Sequence, residues 1–228
     1  MANRVLIVAH RGGSSSTENS IESFRHAQEI GCDSVECDVH ATADGKLVVM
    51  HDSNLLRTTG KSVEISRMNA VELNSIRLRN GEKIPLLQDV FGAIDIPVVI
   101  EIKSVNVMKG LIQFFTEKQE YRKRSVAVSF FHEAILNVKN KIPDIKTGAI
   151  LAGFPVNPEC IVRDSRADSM LLNYEGLTES YVAKCHERNI NVGVWAPDSM
   201  ESIKDMIDAG VDAIGTDKPE IALQLLRK

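Results

Sequence analysis

The sequence predicts a (β/α)8 TIM barrel. Three observations carry that expectation. Short β-branched runs alternate with amphipathic stretches along the chain, the chain is 228 residues long, and charged residues cluster where the apolar runs end. Strands alternating with helices imply a parallel sheet. A barrel of this kind typically takes ~250 residues and can close with about 200. The length therefore fits one barrel domain over residues 1–228, and no linker or low-complexity segment divides it. No Gly-x-Gly-x-x-Gly follows the first apolar run, which argues against a dinucleotide-binding sheet, and no Walker motif is present.

In chain order, a strand over 5–9 leads to a helix over 21–30, which Ser20 can cap and Gly31 can end. A strand over 34–39 and a strand-like run over 46–50 follow. Residues 52–84 break the rhythm: they are polar, with Gly60, Gly81 and an Arg57-Thr58-Thr59 cluster, and are read as a short insertion over the top of the barrel. The alternation then resumes with a helix over 87–93, a strand over 97–101, a helix over 107–117, a strand over 125–129, a helix over 133–141 and a strand over 146–151. It ends with strands over 169–172, 191–195 and 213–216, each followed by a helix, over 179–188, 200–209 and 220–226. Thr178 and Ser199 sit as caps, Gly210 follows a helix, and Pro219 suits a first turn. No helix is expected between 151 and 169.

Hydrophobic residues make up 43% of the chain, enough for one core, which excludes a disordered chain. A net charge of -4 gives no general attraction to nucleic acid or anionic lipid, and Arg122-Lys123-Arg124 reads as a solvated helix end. Cys32, Cys37, Cys160 and Cys185 form no Cys-x-x-Cys pair, which argues against a zinc knuckle and for free packing thiols in a reducing compartment. The apolar run near the N-terminus is too short for a membrane span or a signal peptide. A cytoplasmic protein is expected, without a membrane span or a nucleic-acid partner.

Functional residues of such barrels gather where strands end. The first strand ends in His10-Arg11-Gly12-Gly13, the second in Glu36-Cys37-Asp38, the next run in His51-Asp52, and the following strand in Glu101-Ile102-Lys103. Side chains alternate along a strand, so Glu36 and Asp38 share a face while Cys37 takes the other. Carboxylates crowded inside a barrel repel one another and are poorly solvated. One divalent cation held by Glu36, Asp38 and Glu101 resolves that conflict, and an all-oxygen set suits Mg²⁺ or Ca²⁺. Arg11 and Lys103 would surround an anion beside it, Arg11 by bidentate contact. With His10 and His51 as proton donor and acceptor, the set fits phosphate-ester chemistry. The competing reading is an inert core of salt bridges, but buried ion pairs are weak stabilisers and do not explain such a concentration.

These motifs resemble the glycerophosphodiester phosphodiesterases. The resemblance runs through His10-Arg11-Gly12, Glu18-Asn19-Ser20, Glu36-Cys37-Asp38-Val39, His51-Asp52, Arg57-Thr58-Thr59-Gly60, Ile84-Pro85-Leu86-Leu87, Glu101-Ile102-Lys103 and the stretch from Gly210 to Asp217. It implies metal ligation by Glu36, Asp38 and Glu101, an acid–base pair of His10 and His51, and phosphate binding by Arg11 and Lys103. It also implies attack by the glycerol hydroxyl next to the phosphate, a cyclic phosphate, and release of an alcohol before water yields glycerol 3-phosphate. Two positions depart from the family pattern. Thr17 stands where Pro is usual, and Ala196-Pro197-Asp198 replaces a Thr-Val-Asn run in a loop expected to border the alcohol.

Other residues admit two readings. Glu18 is a partner for Arg11 or a favourable charge before a helix. Trp195 is an apolar wall for glycerol or a packing residue, and Phe130 a substrate contact or a core residue. Asp52 orients His51 or caps a turn. His26 and His186 are read as surface residues. A lysophospholipase D acting on a single-chain lipid, and a non-catalytic phosphate-binding barrel, are the alternatives to hydrolysis of small glycerophosphodiesters.

Overall fold

The parallel strands of the computed structural model, which describes residues 4–227, are short because each runs only the depth of the barrel wall. Residues 1–3 and 228 of the expected domain lie outside the described residues. The chain enters through β1 (Leu6–Ala9), α1 (Ile21–Ile30) and β2 (Ser34–Ala41). It turns back through the short β3 (Leu47–Val49) and crosses the insertion, which holds α2 (Leu56–Thr59) and α3 (Ala70–Leu73). The regular alternation follows: α4 (Leu87–Ala93), β4 (Val98–Ile102), α5 (Val107–Glu117), β5 (Ser125–Ser129), α6 (His132–Lys141), β6 (Lys146–Leu151), α7 (Pro158–Ser165) and β7 (Ser169–Asn173). The chain closes with α8 (Glu179–His186), β8 (Asn191–Trp195), α9 (Met200–Asp208), β9 (Ala213–Thr216) and α10 (Pro219–Leu226).

Closure is carried by β1, whose Ala9 pairs in parallel with Thr216 of β9 on one side and Val35 of β2 on the other. Eight parallel strands thus form the barrel, and β3 adds an antiparallel flap along the far end of β2. Val35, Cys37, Val39, Val98, Ile100 and Ile102 face outward and pack with Phe24, Leu111 and Phe115 of the helical ring. Inside, the apolar filling is a smaller cluster of Val99, Val128 and Ile150, with Val8, Val126, Leu171 and Trp195 partly buried against it. On β2 the inward positions are Glu36 and Asp38, so strand alternation that gives Cys37 to the core gives two carboxylates to the barrel interior.

Two differences from the sequence expectation have local causes. Helix α7 begins with Pro158 but has no side-chain cap and ends on Arg166 in the left-handed region (φ 56°), so glycine punctuation is missing. The insertion is not merely a polar cover. Val48, Met50, Leu55, Ile65, Leu73, Ile76, Leu78 and Ile84 form a second core beneath it, at spacings that match neither helix nor strand period. Glu82 fixes this insertion to α1 by accepting the Ile21 and Glu22 backbone N–H groups at 2.9 and 3.1 Å, a favourable place for a carboxylate at a helix start. All four cysteines are free. No described helix is long and apolar enough to cross a membrane.

Candidate active site

The turn after β1 is shaped by its glycines. Arg11 takes a left-handed conformation (φ 51°), followed by Gly12 (φ 87°) and Gly13 (φ 84°). A Cβ at Gly12 would stand 2.2 Å from Ser23 Oγ, so only glycine lets this turn press against α1. The turn aims the Arg11 backbone N–H at Glu36 Oε2 (3.0 Å) and places His10 on the rim.

Glu36, Asp38 and Glu101 each bring a carboxylate oxygen within 4.8 Å of the others. The register sets this: Asp38 pairs with Glu101 across β2 and β4. Asp38 is fully buried, accepts from Asn19 Nδ2 at 2.8 Å, and lies 3.1 Å from Arg11 Nε. Lys103 Nζ sits 2.9 Å from Glu101 Oε1 and 3.4 Å from Asp38 Oδ1. Burial and the neighbouring Asp38 charge push the Glu36 carboxyl up to about 8. Burial also raises Glu101, against the pull of Lys103. For Asp38, burial acts upward but Arg11 and Lys103 outweigh it, and the carboxyl is held below its ordinary value. Buried Glu36 Oε1 has no hydrogen-bond partner among the described residues, and Asp38 Oδ1 has none beyond the long 3.4 Å ion pair with Lys103. Unpartnered buried carboxylate oxygens are costly, and these converge with Glu101, so the residues present fit a hard divalent cation.

Both rim histidines are held through Nδ1. His10 Nδ1 lies 2.7 Å from Asp217 Oδ1, and His51 Nδ1 lies 2.7 Å from Asp52 Oδ1. A carboxylate accepting Nδ1–H leaves Nε2 as the nitrogen for proton transfer. Burial works against the charged form of His10, but the Asp217 hydrogen bond and the nearby Glu36 raise it above its ordinary value. His40, inward on β2, donates Nε2–H to the His51 carbonyl at 3.0 Å and fixes the backbone beneath that ring.

Arg57 of the insertion joins the two sides. It binds Glu18 through two nitrogens at 2.8 and 2.6 Å, and Asp52 through Nε at 2.6 Å. Its hydrogen bond holds the Asp52 carboxyl down to about 2. Glu18 also lies 3.6 Å from an Arg11 nitrogen, so the expected partnership exists but the tighter one is with Arg57.

The structure therefore gathers His10, Arg11, Glu18, Glu36, Asp38, His51, Glu101 and Lys103, and Asp52 orients His51. Trp195 ends β8 against the interior apolar cluster, donating its indole N–H to the Leu171 carbonyl at 3.3 Å and meeting Phe130 edge-on with centroids 5.6 Å apart. Phe130 is exposed rather than in the core. Asp217, Arg57 and Asn19, although part of the quoted motifs, and His40 were given no site role from the sequence. Asp217 carried a usable signal, an acidic residue directly after a strand end. Arg57→Ala is expected to lower kcat about tenfold, the scale of a lost charged hydrogen bond, with little change in melting temperature because exposed pairs contribute little. Steady-state kinetics beside a thermal melt check this.

Two carboxylate-braced histidines, two cations and three clustered carboxylates thus stand at the barrel end where such folds carry their chemistry, the arrangement of an enzyme active site. Known proteins specify the kind. The model of the glycerophosphoryl diester phosphodiesterase family matches residues 10–221, and the chain belongs to that family. A glycerophosphodiester phosphodiesterase of Caldanaerobacter subterraneus subsp. tengcongensis is 34% identical over 241 residues, covering 99% of both chains. A crystal structure of a glycerophosphodiester phosphodiesterase from Thermotoga maritima superposes with a TM-score of 0.84 at 27% identity, covering 98% of this chain and 99% of that one. The fold is shared as well with an Oleispira antarctica phosphodiesterase solved with the product sn-glycerol-3-phosphate, at a TM-score of 0.90 and 22% identity over 98% and 97% of the chains.

Proposed function

We propose that this enzyme hydrolyses glycerophosphodiesters to glycerol 3-phosphate and an alcohol, with one divalent cation, Mg²⁺ or Ca²⁺, held by Glu36, Asp38 and Glu101. The observation that carries it is the pair of carboxylate-braced histidines beside a carboxylate cluster with unpartnered buried oxygens. The named activity of the full-length 34% identical relative supports the substrate class. When bound, such an ion neutralises phosphate charge and polarises a phosphoryl oxygen. Arg11 and Lys103 would hold the phosphate. One histidine would take the proton from the glycerol hydroxyl next to the phosphate as that oxygen bonds phosphorus. The other would protonate the departing alcohol oxygen as its bond to phosphorus breaks. Water would then open the cyclic phosphate with the two proton roles exchanged. Trp195 would bound the glycerol side, and Glu18 would steady Arg11 and Arg57. Residues 1–228 act as one domain on this reading, and four free thiols favour a cytoplasmic setting.

The test is release of glycerol 3-phosphate from glycerophosphocholine, glycerophosphoethanolamine and glycerophosphoglycerol by chelator-treated protein, with and without Mg²⁺ or Ca²⁺. Metal-restored release is expected; absence of release under every condition would sink the reading. A second reading, hydrolysis of a single-chain lysolipid, draws on the exposed Phe130, Phe131 and Val156 on loops after β5 and β6. It also draws on a lysophospholipase D of Rattus norvegicus, 36% identical over 132 residues, which span 51% of this chain and 41% of that protein. Lysolipids in the same assay decide it.

A further inference from the structure

We propose that Asp198 is a positioning residue for His10, acting through the turn that follows β9. The inference rests on the acid–base role given to His10 above. Asp198 lies in the loop after β8, in the Ala196-Pro197-Asp198 run that follows Trp195. Its carboxylate is spent on the neighbouring turn. Oδ1 accepts the Thr216 hydroxyl at 2.9 Å and the Asp217 backbone N–H at 2.8 Å. Thr216, the fully buried last residue of β9, accepts in turn from the Lys218 backbone N–H at 2.9 Å. One carboxylate oxygen and one hydroxyl thus fix the backbone on both sides of Asp217. The Asp217 carbonyl accepts the Ser14 N–H at 2.8 Å, and its side chain holds His10 Nδ1 at 2.7 Å.

β8, β9 and β1 are consecutive staves, so Asp198, Asp217 and His10 form a chain along one sector of the rim. Asp198 makes no hydrogen bond to either rim histidine or to the clustered carboxylates among the described residues, so its influence on His10 runs through Asp217. A proton-transfer group displaced by about 1 Å loses much of its rate advantage. The hydroxyl and N–H that would lose their acceptor are those that set where Asp217 stands. Two plainer roles compete: a brace for stability alone, and a wall for the alcohol.

Asp198→Ala is expected to lower kcat about tenfold through misplacement, with KM nearly unchanged. Asp198→Asn should restore kcat to within about twofold, because an amide oxygen can accept both hydrogen bonds. In an Asp217→Ala background, Asp198→Ala should cost nothing further, as residues acting as one unit are not additive. Thermal melts of each variant establish that it is folded. The proposal is overturned by a kcat that Asp198→Ala leaves intact, by a rise in KM alone, or by an equal loss with and without Asp217. A wild type that turns over nothing would end this inference and the functional reading together; a normal wild type with an unaffected variant ends only this one.

Discussion

His10→Ala and His51→Ala are each expected to lower kcat by about 10²–10⁴, the range a positioned acid or base contributes, while leaving the barrel folded. Each ring lies on the rim rather than in the core, with side-chain exposures of 21% and 32%. Neither removal opens a cavity in the apolar layers. The two variants should differ in stability. Asp52 keeps Arg57 when His51 is gone, so its carboxylate stays paired. Asp217, whose carboxyl is held below its ordinary value by His10 against the effect of burial, loses that partner. His10→Ala should therefore melt lower than His51→Ala. Single-turnover rates with circular dichroism melts would check both points, and near-normal turnover in either variant would remove that histidine from the acid–base pair.

Glu36→Gln should abolish most metal-dependent turnover and remove a pH dependence of stability. A ligand should cost at least the roughly 10–100-fold in affinity that the outer partners of ligands typically cost. In chelator-treated wild type, Glu36 titrates near its ordinary 4.5 when unfolded and at about 8 when folded. Between those values the folded state holds the extra proton, so this group's contribution to stability falls as pH rises across the window. Glutamine has the same shape and no such proton. The difference in melting temperature, variant minus wild type, should grow from pH 5 to pH 8 without metal, then shrink or change sign when Mg²⁺ or Ca²⁺ is added, because binding to the folded state stabilises it. A pH-independent difference, or unchanged metal affinity, would remove Glu36 from the ligand set.

Most of the barrel was legible because its signals are local. The strand over 34–39 alternates, and the helix over 21–30 is framed by Ser20 and Gly31, so both were placed within two residues of their observed ends. Helix α7 escaped because its end rests on Arg166 in a conformation that sequence assigns to glycine. The site was legible where chemistry falls on strand ends, as with Glu36, Asp38 and Glu101. Two further braces were not, because they come from afar in sequence: Asp217 meets His10 across 207 positions, and Arg57 reaches Glu18 across 39. Periodicity carries no information on such pairings; only barrel closure and the folded insertion create them.

The mouth of the barrel is divided. The turns after β9, β1 and β3 and the strands β2 and β4 bring the charged machinery, while the loops after β5 and β6 bring exposed Phe130, Phe131 and Val156. Because these sectors are separate stretches of chain on a common frame, they can drift at different rates. On the reading that the leaving alcohol meets the apolar loops, a lineage could exchange that alcohol on one side while the charged groups on the other stay unchanged, with no inactive intermediate along the route.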